Sequence, residues 1–181
     1  MAVLPDLVLV ATLAVCLYTD LKERRIYNKV LFPAAAAGMI FYAARGGLSG
    51  LKFSAAGLGL GLLLFFIPFA LGGLGAGDVK LLGAVGALKG PLFVFHAALG
   101  TALAGGVIAL GILFWRRQIW TTFRRLALAC GVLLVGKRSA AAGALLMLER
   151  NPYSSLFPYG AAIFLGTLMA YWFGNFLPAW W

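Results

Sequence analysis

Charged side chains are scarce in this 181-residue sequence, and acidic residues are fewer than basic ones. Asp, Glu, Lys and Arg make up 11% of the chain, whereas a soluble domain carries about 25%. Hydrophobic residues make up 63%, and the mean hydropathy is +0.98. The shortage of charge and the long uncharged runs exclude an ordinary soluble domain and indicate an integral membrane protein. We expect residues 1–181 to form a single domain, because little is left over for a soluble module.

Cysteine and histidine are also rare, which argues against metal and thiol chemistry. Cys16 and Cys130 form no CxxC pair, and the single histidine, His96, cannot complete a zinc site with them. No Lys or Arg precedes the first apolar run, so a signal peptide lacks its basic start. We therefore expect the N-terminal segment to be a retained membrane helix.

Basic residues give the chain a net charge of +10, but their placement argues against a nucleic-acid partner. They form clusters that flank apolar runs, as in Lys22-Glu23-Arg24-Arg25 and Arg116-Arg117. Such clusters orient membrane helices by the positive-inside rule. No nucleic-acid module with interleaved aromatic residues is present, so we predict no nucleic-acid partner.

Six apolar segments predict an all-α membrane protein with six transmembrane helices. Runs of this length are helical, because hydrocarbon leaves every backbone polar group to be satisfied internally. The fourth segment is short, since a helix from 78 to 90 rises only about 20 Å. The segments cover residues 2–19, 30–44, 53–74, 79–88, 91–115 and 156–177.

Charge supports six crossings over five. Six crossings place twelve of the 15 Lys and Arg residues on one side of the membrane. If the fourth segment is only a half-span, that side receives fewer than half of these residues. The rich side is then cytoplasmic, and both termini face outward. Residues 118–151 lie on the cytoplasmic side and contain two apolar runs too short to span. We predict that they form a basic interfacial segment on the lipid bilayer between helices five and six.

Two aspartates are the candidate catalytic residues. Asp20 ends the first apolar segment, and Asp78 begins the fourth after the glycine-rich stretch Gly75-Ala76-Gly77. On the six-helix topology both face the cytoplasm, and they meet if the first and fourth helices are neighbours. Two close carboxylates do not both ionise readily, so one keeps a proton. The ionised member then activates water, and the protonated member polarises a scissile carbonyl.

Each aspartate also has a purely structural interpretation. Asp20 is spaced to pair with Arg24 at i, i+4 on one helix face. Asp78 is placed to be the N-cap of the fourth helix. The glycines before Asp78 favour a tight turn and the close approach of an extended substrate, but they do not establish it.

Three motifs, in order and on the expected helices, resemble the prepilin peptidase (type IV leader peptidase) family of membrane aspartyl proteases. After Asp20 come Ile26 and Asn28, similar to the family's aspartate-then-Ile-x-Asn stretch. The second motif is the GxGD stretch of residues 75–78, which continues as Val79-Lys80-Leu81-Leu82. The third is Pro158-Tyr159-Gly160, which opens the last helix.

The resemblance implies an aspartic endopeptidase of the cytoplasmic membrane that removes the leader of type IV prepilins or pseudopilins at the cytoplasmic face. It implies Asp20 and Asp78 as the catalytic pair, with no metal or cofactor. The substrate is then a leader peptide followed by an apolar helix that lies against the enzyme in the bilayer. The expected substrate-binding residues are Gly75, Gly77, Lys80 and Asn28.

Departures from the family bear on the details. Tyr27 stands where many relatives have proline, which affects the turn after the first helix. The CxxC insert that long family members use for N-methylation has no counterpart here, so we expect cleavage without methyl transfer. The residues leave other classes open: a presenilin-like protease, a proton-coupled transporter that uses two membrane aspartates, or a non-enzymatic membrane assembly subunit.

Overall fold

The computed structural model describes residues 3–115 and 159–176, and all of its regular structure is helical. This confirms the all-α prediction for the described part of the chain. The predicted interfacial segment, 118–151, lies outside the described residues. The helices are α1 (Val3–Glu23), α2 (Asn28–Ala70), α3 (Ala76–Lys89), α4 (Pro91–Trp115) and α5 (Tyr159–Phe176).

Helix α2 combines the second and third predicted segments, which the sequence had separated. Gly47 interrupts it with a φ of 55° and a ψ of −133°, a conformation that favours glycine. Both parts pack on α3: Gly38 lies against Ala87, and Gly61 lies against Leu82. Because Asn28 contacts Lys80 as well, the first part runs parallel to α3, whereas the second runs antiparallel to it. The kink at Gly47 therefore folds α2 back on itself as a hairpin.

Helix α3 is the central helix of the described bundle. From Val79 to Leu88, Lys80 is the one residue that is not buried. Glycines make this close packing possible, because a Cβ built on Gly57 would stand 2.1 Å from the Gly86 oxygen. Ser54 donates a hydrogen bond of 2.7 Å to the Ala87 carbonyl oxygen. The short helix predicted from the sequence is thus enclosed largely by protein.

Helices α1 and α5 pack beside α3 and run antiparallel to each other. Gly160, at the start of α5, contacts Asp20 near the end of α1, while Tyr171 near the end of α5 contacts Asp6 in the first turn of α1. The core of this region consists of buried aliphatic side chains such as Leu9, Leu82 and others from all five helices. This arrangement brings the end of α1 and the starts of α3 and α5 to the same end of the bundle.

Three described helices are long and apolar enough to cross a membrane, namely α1, α2 and α4, and α5 contributes a shorter apolar stretch, Tyr159–Trp172. The six-crossing arrangement therefore stays a prediction. The chain divides into two compact units, residues 1–105 with 158–181, and residues 106–157. Within the second unit the structure describes only the end of α4. The contacts that build the candidate site all belong to the first unit.

Candidate active site

Asp20 lies in the last turn of α1 and is almost fully buried, with 9% of its surface exposed. Its Oδ2 accepts a hydrogen bond of 2.9 Å from the backbone N–H of Gly160. The helix ends three residues later, where Arg24 adopts a left-handed φ of 53° and its N–H donates to the Asp20 carbonyl oxygen at 2.9 Å. This left-handed ending turns the chain toward α2. The charge of Arg24 also reaches Asp20, so the predicted i, i+4 attraction coexists with the Gly160 contact.

Asp78 lies in the first turn of α3 and is 7% exposed. Its Oδ2 accepts a hydrogen bond of 3.1 Å from the N–H of Gly75, and its own N–H donates to the Gly75 carbonyl oxygen. The interpretation of Asp78 as the N-cap was wrong in position, because Gly75 is the N-cap and Asp78 is the third helical residue. The carboxylate nevertheless satisfies a backbone amide at the helix start, as in a capping box.

The two carboxyls interact electrostatically. Asp78 precedes the apolar run of α3 and lies outside the three candidate spans. Burial raises the pKa of the Asp78 carboxyl to about 6, the N–H of Gly75 opposes this rise, and the charge of Asp20 adds to it. Near neutral pH such a carboxyl readily takes up or releases a proton, which is the property required of a general acid.

The two glycines before Asp78 have distinct surroundings. Gly75 is exposed, and a Cβ built on it would stand 3.0 Å from Oδ2 of Asp78. Gly77 lies against Ile26, whose Cβ would be 3.0 Å from a Cβ at that position. Gly75 thus leaves room for the Asp78 carboxyl, and Gly77 leaves room for the segment after α1. The exposure of Gly75 beside a buried acid leaves the backbone open to an approaching chain.

Lys80 and Asn28 form a direct contact at the same end of the bundle. Nζ of Lys80 donates a hydrogen bond of 3.1 Å to Oδ1 of Asn28 and lies 5.7 Å from the centre of the Phe32 ring. The bond is exposed, so it contributes little to stability. It joins the first residue of α2 to the fifth residue of α3 and places both predicted substrate-binding side chains together, near the end of the bundle where α3 begins.

Sequence reasoning assigned no role to Tyr159 and Gly160, although it noted their motif. The structure places both at this site: Gly160 donates to Asp20, and Tyr159 lies within electrostatic range of Asp78. A glycine in the first turn of an apolar helix was the available signal. It did not reveal its partner, which lies 140 residues away.

Metal ligands are not gathered at this site. In residues 3–115 and 159–176 the structure has no group of three or more His, Cys, Asp or Glu side chains that could hold a metal ion. The expectation that the reaction needs no metal or cofactor remains a prediction.

Comparison with known proteins gives the family. No curated protein and no solved structure matches the chain. Residues 7–110, more than half of the sequence, match the type IV leader peptidase family. This range contains Asp20, Asn28, Asp78 and Lys80, and it ends before Tyr159 and Gly160. The chain therefore belongs to the type IV leader peptidase family, whose members are membrane proteases.

Proposed function

We propose that this protein is an aspartic endopeptidase of the cytoplasmic membrane, which removes the N-terminal leader of type IV prepilins or related pseudopilins at the cytoplasmic face. One observation carries the proposal: two buried carboxyls, Asp20 and Asp78, lie at the same end of the bundle and interact electrostatically. Family membership supplies the substrate class. The predicted six-crossing topology and the positive-inside count support a cytoplasmic location for this end of the bundle.

The chemistry follows from the two carboxyls. Asp20, in its ionised form, takes a proton from a water molecule, and the resulting oxygen attacks the scissile carbonyl carbon. Asp78, in its protonated form, donates a hydrogen bond to the carbonyl oxygen as negative charge develops there. The tetrahedral intermediate collapses when Asp20 gives the proton that it took from water to the leaving nitrogen and the carbon–nitrogen bond breaks. No covalent enzyme intermediate and no metal is needed.

Substrate binding involves the groups around the dyad. The exposed backbone at Gly75 and the half-buried Gly77 accept the extended segment at the cleavage site, and the Lys80–Asn28 pair lines its path. The apolar helix of the prepilin lies in the bilayer against the enzyme. This orientation presents the basic leader to the same face as the two aspartates.

Cleavage of a type IV prepilin by the purified protein in detergent or lipid vesicles tests the proposal. Asp20→Asn and Asp78→Asn are each expected to lower the cleavage rate by about 10²–10⁴-fold, because the first removes the base and the second removes the acidic hydrogen-bond donor. Asp6→Asn is the matched control, since Asp6 lies at the opposite end of the bundle. This variant is expected to retain cleavage. Thermal unfolding confirms that each variant is folded.

The alternatives give different outcomes. Full leader removal by either Asp20→Asn or Asp78→Asn contradicts the catalytic assignment. Proton-gradient-dependent uptake of solute by vesicles, with no cleavage product, supports a transporter instead. A membrane assembly subunit with structural aspartates shows neither activity.

A further inference from the structure

We infer that Gly160 is a positioning residue, whose backbone amide fixes the carboxyl of Asp20 for catalysis and whose missing side chain makes room for that carboxyl. The inference rests on the proposed aspartic mechanism and adds α5 to the site. Gly160 lies outside residues 7–110, which match the family.

The hydrogen bond between Gly160 and Asp20 is the first observation. Gly160 is the second described residue of α5. Its N–H donates to Oδ2 of Asp20 at 2.9 Å, and the bond is buried. A buried bond from an amide to a carboxylate is stronger than a neutral one, because it is charge-assisted and shielded from water. Oδ1 of Asp20 then remains as the oxygen that accepts the proton of water.

The space at Gly160 is the second observation. A Cβ built on this residue would stand 2.6 Å from Oδ2 of Asp20 and 3.0 Å from both its Cβ and its Cγ. Contacts this short are not tolerated, so any side chain at 160 displaces the carboxyl or the first turn of α5. Glycine is therefore the residue that permits the amide and the carboxyl to approach directly.

The neighbouring residue gives a third observation. Tyr159 lies within electrostatic range of Asp78, while Gly160 contacts Asp20. The first turn of α5 thus lies near both carboxyls. A shift of this turn alters the geometry of the dyad, and a displacement of about 1 Å at a catalytic group is enough to lower a rate by about 10²-fold.

Gly160→Ala tests the inference in the prepilin cleavage assay. We expect kcat to fall by about 10²-fold with KM within about threefold of the wild type, because orientation rather than binding is lost. We also expect the acid limb of the pH–kcat profile to move to higher pH, since the carboxylate loses a donor that favours its charged form.

Two other glycines provide matched controls. Gly59→Ala adds a methyl group with nothing within 4 Å and is expected to leave kcat and the pH profile unchanged. Gly166→Ala disturbs α5 elsewhere, because its Cβ would stand 2.3 Å from the N and Oγ1 atoms of Thr101. It is expected to lower thermal stability and to leave the pH profile of the remaining activity unchanged.

Amide NMR provides a measurement that does not depend on the folding of Gly160→Ala. In ¹⁵N-glycine-labelled protein, the Gly160 resonance is expected to shift strongly on Asp20→Asn, while that of Gly59 stays in place. An unchanged Gly160 resonance, or a folded Gly160→Ala variant with wild-type kcat and pH profile, overturns the inference. The proposed function is tested separately, by measuring cleavage by the wild type and the loss of cleavage in Asp20→Asn.

Discussion

Lys89, the last residue of α3, donates a hydrogen bond of 2.6 Å from Nζ to Oδ1 of Asp6, in the first turn of α1. The Tyr171 hydroxyl of α5 donates to the same oxygen at 2.6 Å. The lysine Nζ also lies 4.9 Å from the Tyr171 ring centre and 5.2 Å from that of Phe93. This cluster joins α1, α3 and α5 at the end opposite Asp78, about 16 Å along α3.

Removing the Lys89 charge is expected to destabilise the bundle. Lys89→Met keeps most of the aliphatic side chain over the two rings but leaves Asp6 without its cation. Because both side chains are partly exposed, at 20% and 27%, we expect a loss of only about 1–2 kcal/mol in the free energy of unfolding. Thermal or denaturant unfolding in detergent micelles measures it.

Lys52→Met is the control for this change, since Lys52 is exposed on α2. The double variant Asp6→Asn/Lys89→Met is expected to lose less than the sum of the single losses, because both substitutions remove the same interaction. Strict additivity would show that the contact contributes nothing to stability.

The close contact between Gly57 and Gly86 predicts that alanine substitutions at two nearby glycines of α2 differ in their effect on the free energy of unfolding. A Cβ on Gly57 would stand 2.1 Å from the Gly86 oxygen, whereas a Cβ on Gly59 has nothing within 4 Å. We expect Gly57→Ala to lower the free energy of unfolding by at least about 1–3 kcal/mol, because two backbones must separate. Gly59→Ala is expected to be neutral or slightly stabilising, since alanine favours helix.

The yield of folded protein and the midpoint of thermal unfolding compare the two variants. Equal yields and equal unfolding midpoints for Gly57→Ala and Gly59→Ala would contradict the packing of α2 on α3. The same packing explains the glycines at 57 and 61, which lie four residues apart on the face that meets α3, but not the glycine at 59.

Burial of Asp78 predicts a pH-dependent gain in stability for Asp78→Asn. The pKa of this carboxyl rises from its ordinary value of 3.8 to about 6 in the folded protein. The folded state therefore binds the proton more tightly, so the stability of the wild type falls as the pH rises from about 4 to about 6. Asparagine stays neutral and avoids this loss of up to roughly 3 kcal/mol.

Thermal unfolding of both proteins at pH 4 and pH 7.5 measures the effect. We expect Asp78→Asn to unfold at a higher temperature than the wild type at pH 7.5 and at a similar temperature at pH 4. A variant that is less stable at pH 7.5 would show that the ionised carboxylate stabilises the fold. A gain in stability at the expense of activity is typical of a catalytic group held in an unfavourable environment.

Sequence patterns located the helices well because apolar runs and glycine-rich turns are local signals. The fourth predicted segment, 79–88, became α3 with a few residues added at the start and one at the end. The same patterns separated segments 30–44 and 53–74, and the non-helical Gly47 lies between them, so the two predicted segments are the two helical parts of α2. The first and fourth segments pack together as α1 and α3, which the sequence stated only as the condition for Asp20 and Asp78 to meet.

The sequence by itself determined that this chain is helical and membrane-embedded, and that Asp20 and Asp78 are its candidate acids. Composition, the length of apolar runs and the GxGD stretch are local properties of the chain, so they can be read without the tertiary structure. Only the tertiary structure decided that Gly160 holds Asp20 and that Lys89 holds Asp6, contacts that span 140 and 83 residues. The physical reason is that a hydrogen bond depends on where helices pack, and packing depends on which glycines let two backbones meet. That information is distributed over the whole bundle rather than carried by any one motif.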